Sequence, residues 1–129
     1  MKIQEDTGLI LEGGIADSIP IEYAMSQGYD KIVLILTRNK GYRKKYSKMG
    51  FAKAFYRKYP NLQRALSERN AKYNKTMDVI ERLEEDGRIT VIRPLRPIDV
   101  SRMEKDTAKL TALYEEGHEI AERIISSKE

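Results

Sequence analysis

Lys31-Ile32-Val33-Leu34-Ile35-Leu36-Thr37 sets five apolar residues in a row, three of them β-branched, between a lysine and a threonine. A run without polar alternation reads as a parallel strand covered on both faces. On its N-terminal side, Gly8-Leu9-Ile10-Leu11 is a shorter apolar run ending in Glu12-Gly13-Gly14, the pattern of a strand that delivers the chain into a tight turn. A helix over about 19–27 follows, with Asp17 and Ser18 as capping residues, Pro20 in the first turn and Gly28 as the stop.

On the C-terminal side the spacing predicts a basic loop over about 38–49 and a short helix over about 51–58. Leu62, Leu66, Tyr73, Met77, Ile80 and Leu83 then recur at helical spacing, predicting one long helix to Glu85, bent near Asn70 and stopped by Gly87. Arg88 to Arg93 reads as a second good strand, and Pro94 and Pro97 forbid regular pairing beyond it. The last element, over about 103–125, places Leu110, Leu113, Tyr114, Ile120 and Ile124 on one face of an amphipathic helix.

Strand, helix, strand, helices, strand, helix is an α/β order, and it predicts a small, mainly parallel sheet of about three strands flanked by helices. The whole chain, 1–129, is expected to form one domain. Three central-type apolar strands leave at least one exposed edge, which predicts further sequence or a partner, self-association included.

Composition narrows the class. Hydrophobic residues make up 40% and charged residues 34% of the chain, which excludes a disordered or low-complexity protein. There is no cysteine, so disulfides and thiolate metal sites are excluded and a reducing, cytoplasmic setting is expected. Met1-Lys2-Ile3-Gln4-Glu5-Asp6 lacks the apolar core of a signal peptide, and no run reaches the ~20 apolar residues of a membrane span. The net charge of +4 is unevenly placed: the basic loop and helix region from Arg38 to Lys72 holds twelve Lys or Arg and one acid, Glu68. Such a segment predicts an anionic partner.

Searches for complete catalytic sets return little. G-x-S-x-G is absent, as are G-x-x-x-x-G-K-[ST] and G-x-G-x-x-G, so no nucleotide or other cofactor is expected. A single histidine and no cysteine leave no zinc set. What remains is Leu11-Glu12-Gly13-Gly14-Ile15-Ala16-Asp17-Ser18-Ile19-Pro20, a carboxylate at a strand end followed by two glycines. Ligand sites of open α/β sheets lie at such carboxyl ends.

This stretch resembles the acid loop of the patatin-like phospholipase family, Asp-Gly-Gly or Asp-Gly-Ala at a strand end with a polar residue and a proline a few positions on. Further blocks are similar to one bacterial branch of that family, in order: Lys31 to Arg38, Lys40-Gly41-Tyr42-Arg43-Lys44, Tyr73-Asn74, Val91-Ile92-Arg93-Pro94, and Leu110 to Gly117. The resemblance covers the chain from Leu9 onward. It implies the C-terminal part of a patatin-like fold, acting on lipid acyl esters through a Ser-carboxylate dyad in which the carboxylate takes the serine proton. Glu12 matches the dyad carboxylate, with Gly13, Gly14 and Asp17 in its loop. Glutamate replaces the family's aspartate and reaches about 1.5 Å further, which a positioned base does not tolerate freely. The glycine-rich oxyanion loop and the serine elbow have no counterpart, so the chain alone is expected to be inactive. Read without the later blocks, Glu12 is a turn-opening carboxylate with glycines present for positive φ, and Asp17 is a helix cap.

Arg43, Lys44, Lys45, Arg57 and Lys58 lie among aromatic residues in Tyr42 to Tyr46 and Phe51 to Tyr59. Cations with interleaved tyrosines suit an anionic phospholipid surface and peripheral membrane contact, which is expected ahead of single-stranded nucleic acid. The plainer alternative is a solvated basic loop with Phe51, Phe55 and Tyr59 in the core. His118, without an identifiable acid or nucleophile partner, reads as a surface residue.

Overall fold

The computed structural model describes residues 3–4, 10–11, 13–45, 56–101 and 103–127, and the chain divides into two compact units, Met1–Tyr29 with Arg43–Arg82, and Asp30–Tyr42 with Leu83–Glu129. In the first, β1 (Ile3–Gln4) and β2 (Ile10–Leu11) pair antiparallel, with Ile3 opposite Leu11. A 3₁₀ turn, Gly13–Ile15, follows, and the amides of Ala16 and Asp17 both donate to the Gly13 carbonyl at 3.0 Å. Helix α1 is Ile21–Ser26.

The expected caps of α1 are not used. Its N-cap position is Pro20, no side chain accepts there, and Ser18 Oγ instead donates to the Gly14 carbonyl at 2.9 Å. The helix starts two residues later than expected, which puts Asp17 and Ser18 out of reach of its first amides.

Helix α2, Pro60–Glu85, opens on a proline that lacks only an amide the first turn could not use. Leu62, Tyr73, Met77 and Ile80 form its buried stripe. Its end is a Schellman motif: Gly87 takes φ +68°, Gly87 N donates to the Glu84 carbonyl at 3.0 Å, and Arg88 N to the Leu83 carbonyl at 2.9 Å.

In the second unit β3 (Val33–Ile35) and β4 (Thr90–Ile92) run parallel, Val33 opposite Thr90 and Ile35 opposite Ile92. Thr90 N donates to the Ile32 carbonyl and Leu36 N to the Ile92 carbonyl, extending the pairing at both ends. The fold is α/β with a parallel sheet. That sheet holds two of the three expected strands, because Ile10–Leu11 pairs with Ile3–Gln4 in the other unit.

Strand β4 is interior, with Val91 and Ile92 buried, but β3 departs from the expected double coverage: Val33 and Ile35 are 58% and 73% exposed. Both side chains lie on one face of the strand, which is largely uncovered among the described residues. Helix α3, Thr107–Ser126, packs on β4. It begins four residues later than its apolar spacing predicts, because Asp106 caps it, accepting from Ala108 N at 2.9 Å and Lys109 N at 3.3 Å, while Met103 is exposed. Ile120 is its buried residue. Just upstream, the amides of Asp106 and Lys105 donate to Glu104 and hold its carboxyl below the usual range.

Candidate functional site

Three places carry chemistry. The first is the acid loop. Glu12 lies outside the described residues, directly after β2. Gly13 and Gly14 form the 3₁₀ turn and not a turn of positive φ, which among the described glycines is confined to Gly28, Gly41 and Gly87. The loop is tied to α2 by Lys72, whose Nζ donates to the Ala16 carbonyl at 2.8 Å. Asp17 is half-buried and, with Lys72, Tyr73 and Thr76, lines a recess of about 10 Å³, roughly the size of one water. Among the described residues no group of His, Asp or Glu could hold a metal ion.

The second place is the start of the basic segment, and here the charges are turned inward. Arg43 Nη2 donates to Asp78 Oδ1 at 2.6 Å and to Glu81 Oε2 at 2.9 Å, and Nη1 donates to Glu81 Oε1 at 3.1 Å. Glu81 first, then Asp78, hold the guanidinium's pKa above its ordinary value, against the opposing effect of burial. Lys44 donates its amide to Asn74 Oδ1 at 2.7 Å, and its carbonyl accepts from Asn74 Nδ2 at 2.9 Å. Its ammonium lies 4.1 Å from the centre of the Tyr73 ring, a cation–π contact. Asn70 Nδ2 donates to the Lys45 carbonyl at 2.8 Å.

Asn70, Asn74, Asp78 and Glu81 thus form a polar ladder at helical spacing along α2 that clasps residues 43–45. The sequence carried that signal as two amides and two carboxylates spaced four, four and three apart, which the reading of Asn70 as a bend passed over. Of the five cations expected at an anionic surface, Lys45, Arg57 and Lys58 are exposed, whereas Arg43 and Lys44 are part-buried in the clasp. Phe51 and Phe55 lie outside the described residues; Tyr59 is half-buried.

The third place is a groove of about 440 Å³ in the second unit, at the carboxyl ends of β3 and β4. Apolar side chains dominate it, with Leu36, Ile92 and Ile120 buried and Ile35 and Tyr114 exposed at its edge. Arg93, only 8% exposed, lines it. Its Nη2 is held by Glu84, and its Nη1, also buried, has no hydrogen-bond acceptor among the described residues. His118 is exposed at the rim, its Nδ1 3.7 Å from Glu122 Oε2, as a surface histidine would be.

Residues 59–128 match the family described as Domain of unknown function (DUF6363). The chain belongs to this family. The DUF6363 span takes in α2, β4 and α3, and therefore the ladder of the clasp and most of the groove, while the Glu12 loop precedes it. No curated protein and no solved structure matches the chain. Among the described residues no helix is long and apolar enough to cross a membrane.

Proposed function

We propose that this DUF6363 chain is the C-terminal part of a patatin-like lipid acyl hydrolase, contributing Glu12 as the dyad carboxylate to a serine carried by a preceding segment. The observation that carries this is the ordered series of blocks similar to that family, from the Glu12-Gly13-Gly14 loop to Leu110–Gly117. One feature of the fold supports it: the uncovered Val33 and Ile35 leave room for more of an α/β layer. In the reaction Glu12 takes the proton of the serine Oγ as it attacks the ester carbonyl; the alcohol then leaves and water releases the fatty acid. Alone, the chain turns over nothing. A purified-chain assay on a short-chain p-nitrophenyl ester checks this: turnover abolished by Glu12→Ala would place the nucleophile within the chain and overturn the division of roles.

A specific observation favours a second function compatible with the first. Arg64, Lys72, Lys75 and Arg82 on the outer side of α2 are exposed, as are Arg57 and Lys58 just before it, with Glu68 as an exposed acid in their midst. Cations near an anionic lipid surface contribute about 1 kcal/mol each. We propose peripheral binding of anionic membrane through this side. Sedimentation with phosphatidylglycerol vesicles should capture the chain at low salt, and reversal of Arg57, Lys58, Arg64 and Lys75 to Glu should abolish capture. Binding to an oligonucleotide but not to vesicles would assign the surface to nucleic acid instead.

A further inference from the structure

We propose that β3 is the seam of a homodimer: it pairs antiparallel with β3 of a second copy about a twofold axis through Leu34, joining two two-stranded sheets into one of four strands. The open edge is read from the backbone. The Ile32 carbonyl accepts from Thr90 N and Leu36 N donates to the Ile92 carbonyl, so these residues of β3 turn their peptide groups toward β4. Peptide directions alternate along a strand, which turns the N–H and C=O of Val33 and Ile35 the other way, where no strand of the described residues pairs with them. Monomeric proteins guard such edges with lysine, proline or a bulge. Ile32–Leu36 holds no charge and no proline.

Three observations select a second copy as the occupant. The first is register. Val33 and Ile35 stand symmetrically about Leu34, so an antiparallel twofold sets each opposite the other, and the two pairs exchange four N–H···O bonds. The second is charge. The same register sets Asp30 opposite Arg38 of the second copy at both ends of the seam, and both residues are exposed. Within one copy they are eight residues apart, about 26 Å along an extended chain, too far to meet. The third is area. Val33, Ile35, Tyr114 and Ile125 are each more than half exposed, an apolar surface on the order of 500 Å² per copy, of the size that marks an interaction site. Tyr114 shares a hollow with Ile35 at one end of β3, and Ile125 shares another with Val33 at the other end. The twofold therefore brings Tyr114 toward Ile125 of the second copy across a doubled floor of Val33 and Ile35, walled on each side by α3. A second copy and the preceding segment of the acyl-hydrolase reading exclude one another on this face. The dimer is that of the chain by itself, and it uses neither Glu12 nor turnover.

Sedimentation equilibrium of the full chain at roughly 50 μM should give twice the 14.9 kDa of one copy. Ile35→Pro removes an amide that does not bond β4, a change that edge strands accept where the N–H faces outward. It should give a monomer with unchanged circular dichroism. Asp30→Arg sets two cations together at each end of the seam and should weaken association about tenfold or more, and adding Arg38→Asp should restore it. Because the two positions do not meet within one copy, only contact between copies produces that recovery. A folded chain that stays monomeric, a dimer that Ile35→Pro leaves intact, or a charge swap that fails to recover association would overturn the proposal.

Discussion

Replacing Arg43 by methionine removes the centre of the clasp while keeping most of its apolar stem. Hydrogen bonds to charged groups contribute about 1.5–3 kcal/mol when sheltered. Asp78 is 60% exposed, so its share falls to the range of surface pairs, about 0.2–1 kcal/mol. Glu81 is 20% exposed and accepts from two guanidinium nitrogens, and about 1–2 kcal/mol is assigned to it. The variant should therefore lose about 2 kcal/mol, or roughly 6–8 °C in Tm for a chain of this length. Urea unfolding followed by circular dichroism measures it, and an unchanged m value identifies the change as one of stability. Asn74→Ala should cost about 1–2 kcal/mol through its two bonds to Lys44, and the double variant should lose less than the sum, since both anchor residues 43 and 44. A loss below about 0.5 kcal/mol for Arg43→Met, or one that disappears in ~1 M salt, would reduce the clasp to a screened surface pair and refute this reasoning.

Asp106→Ala removes the acceptor for two amides at the start of α3 and should cost about 1 kcal/mol, read as a lower urea midpoint; Asp106→Asn should recover most of it. Gly87→Ala meets no neighbour but forces alanine to φ +68°, so about 1–2 kcal/mol of strain is expected with no packing change. Glu104 gives a pH signature. Its carboxyl binds its proton less readily in the folded chain than in the unfolded one, so its stabilising contribution is present above the ordinary value of 4.5 and is lost as pH falls through the lowered value. The stability difference between wild type and Glu104→Gln should accordingly be visible at pH 7 and vanish well below pH 4; a difference that grows on acidification would contradict the hydrogen bonds assigned to Glu104.

The elements that could be read in the sequence are those whose signals are local. The apolar run at Ile32–Leu36, the helical spacing from Leu62 to Leu83 and the glycine at 87 each locate an element within a few residues. Caps were less legible, because Asp17, Ser18 and Asp106 are all capping residue types, and only the backbone path selects Asp106. Strand β1 is two residues long, too short for any periodicity, so the pairing that takes β2 out of the parallel sheet left no trace in the pattern. Charge composition located the basic segment, but a sum of charges cannot say which cations are paired. Arg43 meets acids 35 and 38 residues away, and that pairing separates it from exposed Lys45, Arg57 and Lys58. The groove needed the register of β3 with β4 and the path of α3, both long-range properties. Its one local sign was a glycine at 117 in the middle of an apolar helical pattern.

The most direct test joins this chain behind a patatin-like segment carrying G-x-S-x-G and follows hydrolysis of a short-chain acyl ester. Turnover is predicted for the joined protein and not for the chain alone, and it should fall by orders of magnitude in Glu12→Ala. Turnover that survives Glu12→Ala, or its absence from a folded joined protein with Glu12 intact, would contradict the role proposed for this chain.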